Sequence, residues 1–444
     1  EDRACVFPAC HCLPIYFFAP ARASTFWRAR MVACVIADEL LRAVLGRPDD
    51  DAPRLVYADA LLDAGDLRGE LIQLQCHRTP DTAAREAELI AQLEPVWRDA
   101  LGANVANVWC ERGLPLKIKL EVSAIKEDAL AALDRAPIRD VMVALKLDVD
   151  DDDVDSHAVA EWFARDPRTA RLRSLDLVWC DFEEQGLHAI LAADLRRLRS
   201  LSLSDYDSQT FAADAIIKNI TLSLEELRLC GDSYGDFEYG LGMLSGSPRS
   251  AMLQRLSLDN TGLGPDAGHI FARSPHFANL TELGLSGGSN TPNRLGDEGL
   301  IALASAPHLA KLRRLALVFN RITDTGLASL ADPAALPALL SLAVNNCQIS
   351  ADGFANLVAK RAFDELYVGG CSAIGDAGVI ALARSPHVRG LHCLNIAGTG
   401  VGAGGIDALI ASPIERLDFL GVRVEPELRR RLVERFGPSA LGEK

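Results

Sequence analysis

The sequence lacks any uncharged apolar run of the roughly 18 residues that a membrane-spanning helix requires, so no transmembrane segment is expected. It also lacks an excess of positive charge, because 46 Lys and Arg residues stand against 61 Asp and Glu residues, a formal net charge of -15. Nucleic acids and anionic lipid surfaces attract basic proteins, so neither is an expected partner. With 49% hydrophobic and 24% charged residues, the chain of 444 residues has the composition of a globular protein.

The sequence lacks the dense and even set of cysteines of a disulfide-stabilised secreted domain, because the chain has 11 cysteine residues, an odd number at ordinary density. We therefore expect reduced thiols and a cytoplasmic protein. One cluster, Cys5, Cys10, His11 and Cys12, has the short spacing of metal ligands. A structural zinc site requires a second ligand pair across a folded segment, and none follows closely. The sequence thus predicts neither a metal site nor a cofactor.

Residues 1–30 differ from the rest of the chain. Pro8, Pro14 and Pro20 interrupt them, no helical or strand period is present, and acidic residues lead where a signal peptide would have basic ones. Regular patterns begin at Met31. We expect residues 1–30 to be either disordered or sequence upstream of a start at Met31, and a native peptide from this segment would exclude the second alternative.

Residues 31–101 are predicted to form a small helical domain. Apolar residues recur there at helical spacing, acidic residues precede Pro53 at a helix start, and Gly65 suits a helix end. The run Asp51–Asp59 (DAPRLVYAD) and the run Gly65–Gln75 (GDLRGELIQLQ) resemble the bacterial repeat-companion domain. This short module is found ahead of repeat arrays, often leucine-rich ones.

The resemblance covers about residues 36–78 and implies a helical module without an established catalytic activity. The family has Trp after Tyr-Ala-Asp, whereas this chain has Ala60, so a binding role of that Trp is not carried over. Four side chains in the segment have two interpretations: Tyr57, Asp59, Arg68 and Glu70. They contribute either to a functional surface or, as we favour, to a polar network that joins the small helices.

The pattern Leu-x-x-Leu-x-Leu recurs ten times, with variants, over residues 172–424. Its first positions lie 23 to 32 residues apart, with a mean of about 27, which is typical of leucine-rich repeats. These first positions are Leu172, Leu198, Leu224, Leu253, Leu280, Leu312, Leu339, Phe363, Leu391 and Ile414. Alternating apolar residues at the fourth and sixth positions predict a short strand with one buried face. A turn, a glycine and a helix then follow each strand.

Repeats of this length, with a helix after each strand, resemble the ribonuclease-inhibitor-like class of leucine-rich repeats. The resemblance implies an α/β horseshoe solenoid with a parallel sheet on its concave side and helices on its convex side. Residues 102–171 are predicted to hold degenerate leading repeats that cap the stack, and residues 425–444 a capping helix and tail. Residues 148–155 read as a solvated acidic loop rather than a calcium site, because the EF-hand glycine is absent.

Two kinds of side chain within the repeat have predicted structural roles. Small polar residues or thiols at the ninth position, such as Asn320 and Cys347, should bond backbone groups where the chain leaves the strand. Asp297, Asp324 and Asp376 lie two residues before the repeat glycine, where a helix N-cap is expected.

Two motifs resemble enzyme signatures but coincide with repeat positions. The segment Gly400–Gly405 matches the dinucleotide-binding pattern G-x-G-x-x-G, and Gly284–Gly288 matches the G-x-S-x-G pattern of hydrolases. Val401 and Gly405 are the apolar and glycine positions of their repeat, and no catalytic triad accompanies Ser286. Neither motif therefore predicts catalysis.

Binding is predicted for the side chains that alternate with the leucines or flank the strand ends, because these face the concave side. Large aromatic residues and Arg are typical binding anchors. The candidate protein-binding residues are Asp176, Trp179, Asp205, Arg228, Asp259, Arg314, Phe319, Asn345, Tyr367, His392 and Asp418. Among them Trp179, Phe319 and Tyr367 are the preferred contacts.

The third positions of four successive repeats alternate in charge. They are Glu226, Arg255, Glu282 and Arg314. Such a ladder favours intramolecular pairing over a binding site, with less than about 1 kcal/mol from each exposed pair.

The sequence thus predicts a non-enzymatic, monomeric scaffold that binds a partner protein on its concave face. Three alternatives stay open. The first is a regulator of an enzyme, such as a GTPase activator, as some ribonuclease-inhibitor-like repeats are; a panel of GTPase assays would identify it. The second is an enzyme that uses the helical head, although residues 31–101 contain a single His and no nucleophile–base pattern. The third is a structural array without a fixed partner.

Overall fold

The computed structural model describes residues 39–47, 50–102, 105–122, 130, 140–146, 156–178, 184–204, 224–231, 237–288 and 293–441. Several predictions fall outside these residues: those on the segment 1–30 with its Cys and His cluster, the acidic loop 148–155, Trp179 and Asp205. Two compact units divide the chain. One comprises Glu1–Val154 and Arg165–Asp176, and the other comprises Asp155–Ala164 and Leu177–Lys444.

Helices open the described part of the first unit. They are α1 (residues 39–46), α2 (Asp51–Asp63), α3 (Leu67–Cys76) and α4 (Ala83–Leu101). Two of them begin at aspartates whose side chains accept backbone N–H groups, as acidic residues at a helix start allow. Asp50 accepts from Ala52 at 3.0 Å, and Asp66 accepts from Arg68 at 2.9 Å.

A hairpin follows these helices. Strand β1 (Val105–Glu111) pairs antiparallel with β2 (Leu114–Val122), which pairs in parallel with β3 (Asp140–Lys146). The degenerate leading repeats predicted for residues 102–171 imply parallel strands such as β2 and β3, but not the antiparallel β1. The turn needs Gly113, because its φ is +79° and a Cβ there would lie 2.1 Å from Ile72 of α3.

A parallel sheet is the core of the second unit, and each of its strands pairs with the next along the chain. The strands are β5 (Ser200–Ser204), β6 (Glu226–Cys230), β7 (Arg255–Ser257), β8 (Glu282–Gly284), β9 (Arg314–Ala316), β10 (Ser341–Ala343), β11 (Glu365–Tyr367), β12 (Cys393–Asn395) and β13 (Phe419–Gly421). They follow β4 (Ser174–Val178), within which the division between the two units falls.

Helices alternate with these strands from β6 to β13. The helices after α4 are α5 (Ser156–Arg165), α6 (Glu184–Ala192), α7 (Glu238–Gly246), α8 (Asp266–Arg273), α9 (Gly296–Ala304), α10 (Asp324–Ala328), α11 (Ala351–Val358), α12 (Gly375–Arg384), α13 (Ala403–Ile410) and α14 (Pro426–Phe436). Strand leucines such as Leu315 and helix leucines such as Leu300 are at most 1% exposed. The predicted α/β repeat solenoid is therefore confirmed. No helix in the described ranges combines the length and hydropathy needed to cross a bilayer.

The sequence predicts that the aspartates before the repeat glycine cap their own helices. In the structure they instead form hydrogen bonds to the next repeat. Asp324, in the first turn of α10, accepts hydrogen bonds from the backbone N–H of Ser350 at 2.8 Å and from its hydroxyl at 2.5 Å. Ser350 in turn caps α11. Asp297 bonds Thr323 of the next repeat in the same way. A helix start on one repeat is thus tied to a carboxylate on the repeat before it.

The repeat glycine makes room for this carboxylate. A Cβ on Gly353 would lie 2.0 Å from Oδ1 of Asp324, far inside van der Waals contact. The Asp and the Gly of the pattern therefore form an interlocking pair across neighbouring repeats, not within one.

Ninth-position residues bond the backbone as predicted. Asn320 is fully buried and donates to the carbonyl of Leu285 at 2.7 Å, and the Cys347 thiol donates to the carbonyl of Leu317 at 3.5 Å. In the repeat with the 32-residue spacing, Asn293 takes the role of the ninth-position residue. The leucine pattern does not identify Asn293, because an insertion precedes this residue.

Asn293 is fully buried and uses both ends of its amide. Its oxygen accepts from the backbone N–H groups of Thr261 and Leu263 at 3.1 and 3.0 Å. Its nitrogen donates to the carbonyls of Leu258 and Leu285, each at 2.9 Å.

The predicted register of the last repeat is wrong by three residues. Strand β13 pairs Phe419 with Cys393 and Leu420 with Leu394, so Leu417, not Ile414, takes the first position. Ile414 and Leu417 are both buried, which is why the spacing alone did not separate them. Phe419 consequently lies at an outward third position and is 39% exposed.

Candidate functional site

One face of the parallel sheet carries the side chains that alternate with the buried leucines. We call it the open sheet face and define it by the third and fifth positions of β6–β13. The third-position row is Glu226, Arg255, Glu282, Arg314, Ser341, Glu365, Cys393 and Phe419. The fifth-position row is Arg228, Ser257, Gly284, Ala316, Ala343, Tyr367, Asn395 and Gly421. Both rows run unbroken because the strands pair in register.

The charged members of the third-position row pair with one another. Glu226 lies 2.8 Å from Arg255, and Arg314 lies 3.3 Å from Glu282 and 3.6 Å from Glu365. Burial alone would raise the pKa of Glu226, but the neighbouring guanidinium groups outweigh it and hold that pKa below its ordinary value. These distances support the interpretation of the alternating charges as a ladder of intramolecular pairs.

A pocket of about 420 Å³ opens beside this row. Its walls include Glu282, Arg314, Ser341, Glu365 and His392. The Ser341 hydroxyl donates to Oε2 of Glu365 at 2.7 Å, and Nε2 of His392 lies 3.9 Å from Oε1 of the same carboxylate. The pocket therefore joins the charge ladder to an imidazole.

Three potential metal ligands meet at the pocket wall. Donor atoms of Glu365, His392 and Cys393 all lie within 4.8 Å of one another. Burial raises the pKa of the Cys393 thiol, and the neighbouring Glu365 carboxylate acts in the same direction. Burial and Glu365 also raise the pKa of Tyr367 to about 12. The neutral thiol and phenol are thus the favoured forms at neutral pH.

The eighth position has a left-handed backbone in five of the described repeats. Its φ is +59° at Asn260, +56° at Asn346, +77° at Gly370 and +70° at Gly398, all residue types that tolerate this region. Phe319 has a φ of +58° at the same position. A bulky residue in this region carries a conformational cost of about 1–2 kcal/mol, so backbone geometry does not account for the aromatic ring.

Comparison with known proteins agrees with the repeat architecture. Residues 308–331, which include β9 and α10, match a family model described as Leucine Rich repeat. The chain has a leucine-rich-repeat fold. No curated protein matches the chain.

The solved structures that are similar to the chain come from several origins and share low sequence identity with it. One is in the Rad7 and Elc1 complex in yeast, with 18% identity over 68% of this chain and 74% of that chain and a TM-score of 0.47. Another is an internalin from Listeria monocytogenes, with 16% identity over 68% and 86% of the two chains and a TM-score of 0.33. The fold assignment rests on the matched repeat and on the strands and helices that continue it.

Within this leucine-rich-repeat frame, four predicted binding residues lie on or beside the open sheet face. Arg228 and Arg314 are exposed and ion-paired, Tyr367 is half-buried in the fifth-position row, and His392 lines the pocket. Asp176 is half-buried in β4.

Two predicted residues instead hold neighbouring repeats together. The Asp259 carboxylate accepts from the backbone N–H of Ser286 at 2.6 Å, and Asn345 accepts from that of Gly369 at 3.2 Å. Both occupy the seventh position of their repeat. From there a side-chain oxygen can accept a hydrogen bond from the backbone at the end of the strand in the next repeat.

The prediction for Asp418 needs correction, because the register of its repeat was wrong. It lies at the second position, before β13, and pairs with Arg416 at 2.5 Å instead of facing outward from the middle of a strand. Among the open-face residues that the sequence-based prediction does not name are Glu365, Cys393 and Phe419. For Phe419 the missed signal was the alternative spacing Leu417, Leu420, Val422.

The polar side chains of the helical segment mostly join its helices. Asp59 accepts from Gln73 at 2.8 Å and thereby links α2 to α3, and Glu70 pairs with Arg85 of α4 at 2.7 Å. Tyr57 is only 1% exposed. These contacts favour the structural interpretation of Asp59 and Glu70.

Proposed function

We propose that this chain is a non-enzymatic scaffold that binds a partner protein on its open sheet face, the face that the resemblance places on the concave side. The observation that carries the proposal is the left-handed backbone of Phe319. Four other repeats have Asn or Gly at this position, and the ring is only half-buried, so neither the backbone conformation nor complete burial accounts for an aromatic residue there. A half-buried aromatic ring held at such a cost supports a contact outside the chain.

The fifth-position row of the open sheet face suits a protruding partner segment. Four small residues occupy the fifth-position row on successive strands: Ser257, Gly284, Ala316 and Ala343. At about 4.8 Å per strand these small residues span roughly 14 Å of the open sheet face. Tyr367 follows them in register on β11. These small residues leave room for a partner side chain beside Tyr367, and aromatic residues are typical binding anchors.

A stability-neutral variant provides the test. Phe319→Asn introduces a residue that tolerates the left-handed region, so relief of about 1–2 kcal/mol of strain offsets the lost ring contacts. We expect the melting temperature of this variant to stay near that of the unmodified chain while capture of its crosslinked partner falls. Ile301→Ala is the matched control, because Ile301 is an apolar side chain with 44% exposure on helix α9, away from the sheet.

The outcomes separate binding from structure. A partner that Ile301→Ala captures and Phe319→Asn loses supports the proposal, and mass spectrometry of linked peptides should place it beside the open sheet face. Equal capture by both variants would refute the role of Phe319. A melting temperature many degrees lower for Phe319→Asn would instead identify the ring as a core residue.

The sequence-based expectations of a monomeric, cytoplasmic protein and of a repeat-companion module at residues 36–78 belong to the same proposal. The helix-joining pairs of Asp59 and Glu70 support a structural module at these residues.

A further inference from the structure

Glu365, His392 and Cys393 are brought together by strand register. Glu365 on β11 and Cys393 on β12 are direct partners in the parallel pairing, and His392 immediately precedes β12. Neighbouring strands lie about 4.8 Å apart, so both side chains leave the same face side by side. The three donor groups are all half-buried, and their donor atoms lie within 4.8 Å of one another.

A carboxylate, an imidazole and a thiolate are the three side-chain ligand types of zinc sites. In tetrahedral zinc, ligand atoms at bond lengths near 2.0–2.3 Å lie about 3.3–3.8 Å from one another. Nε2 of His392 and Oε1 of Glu365 are already 3.9 Å apart. The His392–Glu365 pair is therefore near the separation that a shared ion requires, and the Cys393 sulfur lies within 4.8 Å of both.

Neighbouring groups orient these ligands. The Ser341 hydroxyl holds Oε2 of Glu365 at 2.7 Å, which leaves Oε1 directed toward His392. Such outer hydrogen bonds fix the direction of a ligand and are typical of metal sites. The pocket beside Glu365 and His392 leaves space for a fourth ligand, such as water.

We propose that Glu365, His392 and Cys393 form a three-ligand Zn²⁺ site that opens to this pocket. On binding, Oε1, Nε2 and the Cys393 sulfur each donate an electron pair to the ion, and the thiol proton leaves to solvent. The two negative ligands then balance the charge of the ion. The proposal does not depend on the partner-binding role of Phe319.

Arg314 is the competing cation at this site. Its guanidinium lies 3.6 Å from Oε1 of Glu365, the oxygen that the ion would take. Zinc at this oxygen therefore competes with the ion pair, so the positive charge of Arg314 is expected to lower the zinc affinity.

The experiment is a zinc titration of the full chain, freed of metal by a chelator, in competition with a chromogenic chelator. We expect one high-affinity zinc per chain. Removal of a ligand in Cys393→Ser or Glu365→Gln should lower its affinity at least tenfold, since changes even at outer groups cost about 10–100-fold. Arg314→Gln should raise the affinity. Cys230→Ser is the matched control, because Cys230 is another half-buried thiol, at the end of β6.

Cobalt provides a second readout that is independent of affinity. Co²⁺ in the site should give a thiolate charge-transfer band that persists in Cys230→Ser and disappears in Cys393→Ser. Circular dichroism checks that each variant is folded. Equal zinc affinity of Cys393→Ser and the unmodified chain, or loss of the cobalt band in Cys230→Ser, would overturn the proposal. A lower affinity of Arg314→Gln would contradict the competing role of Arg314.

Discussion

Replacing Asp324 with Ala should destabilise the repeat that follows it in the chain. The Asp324 carboxylate accepts two hydrogen bonds from Ser350, the residue that caps helix α11. Hydrogen bonds to charged groups contribute about 1.5–3 kcal/mol, and loss of a capping residue costs about 0.5–2 kcal/mol. Asp324 is half-buried, so water can partly replace it. We therefore expect the free energy of unfolding to fall by about 2 kcal/mol.

Thermal and urea unfolding followed by far-ultraviolet circular dichroism would measure this loss. In domains of 150–250 residues 1 kcal/mol corresponds to about 2–4 °C, so a decrease of roughly 4 °C or more in melting temperature is expected. Asp352→Ala is the control. Asp352 is an exposed acid in the first turn of α11, the helix that Ser350 caps. Its removal should lower the free energy of unfolding by less than about 1 kcal/mol.

Gly353 provides a second and stricter test of the same contact. A Cβ on this residue would lie 2.0 Å from Oδ1 of Asp324, so Gly353→Ala should be strongly destabilising on its own. In the Asp324→Ala background the carboxylate is gone and the cost should be clearly smaller, although the Cβ of residue 324 remains 2.8 Å away. Additive costs of the two substitutions, or an Asp324→Ala variant as stable as the unmodified chain, would refute the interlock between repeats.

Two further predictions concern stability. Asn293→Ala should lower the free energy of unfolding in urea by about 3 kcal/mol, because it leaves the buried N–H groups of Thr261 and Leu263 without an acceptor. Asn279→Ala is the control, because this amide is exposed and its loss should cost under about 1 kcal/mol. Ion pairs hold the pKa of Glu226 below its ordinary value of 4.5, so their stabilisation is complete above that pH and is lost as the pH falls through the lowered pKa. Glu226→Gln should therefore be less stable at neutral pH and lose less stability on acidification; parallel pH profiles of the two proteins would contradict this.

The leucine spacing predicted most of the fold because each buried leucine has one structural role. Leu256, Leu283 and Leu315 lie at the centres of neighbouring strands, as their fourth positions require. Leucine spacing does not determine the register of a repeat where two apolar residues can both take its first position. Ile414 and Leu417 are three residues apart and both buried, and only strand pairing distinguishes their positions.

Contacts between repeats were harder to predict, because a repeat pattern describes one coil at a time. Asp324 was assigned to its own helix although its carboxylate bonds Ser350 of the next repeat. The proposed zinc ligands likewise come from two neighbouring repeats. Glu365 and Cys393 are 28 residues apart and meet only because β11 and β12 pair in register.

Departures from the role of a position are therefore the strongest functional signals in this protein. Asp324, Asn320 and Asn345 bond neighbouring backbone or caps, so the repeat structure itself explains their residue types. The left-handed eighth position explains Asn and Gly but not Phe319. Since natural sequences break a local rule mainly where function requires it, an aromatic ring retained against its backbone preference is better evidence for a binding site than exposure alone.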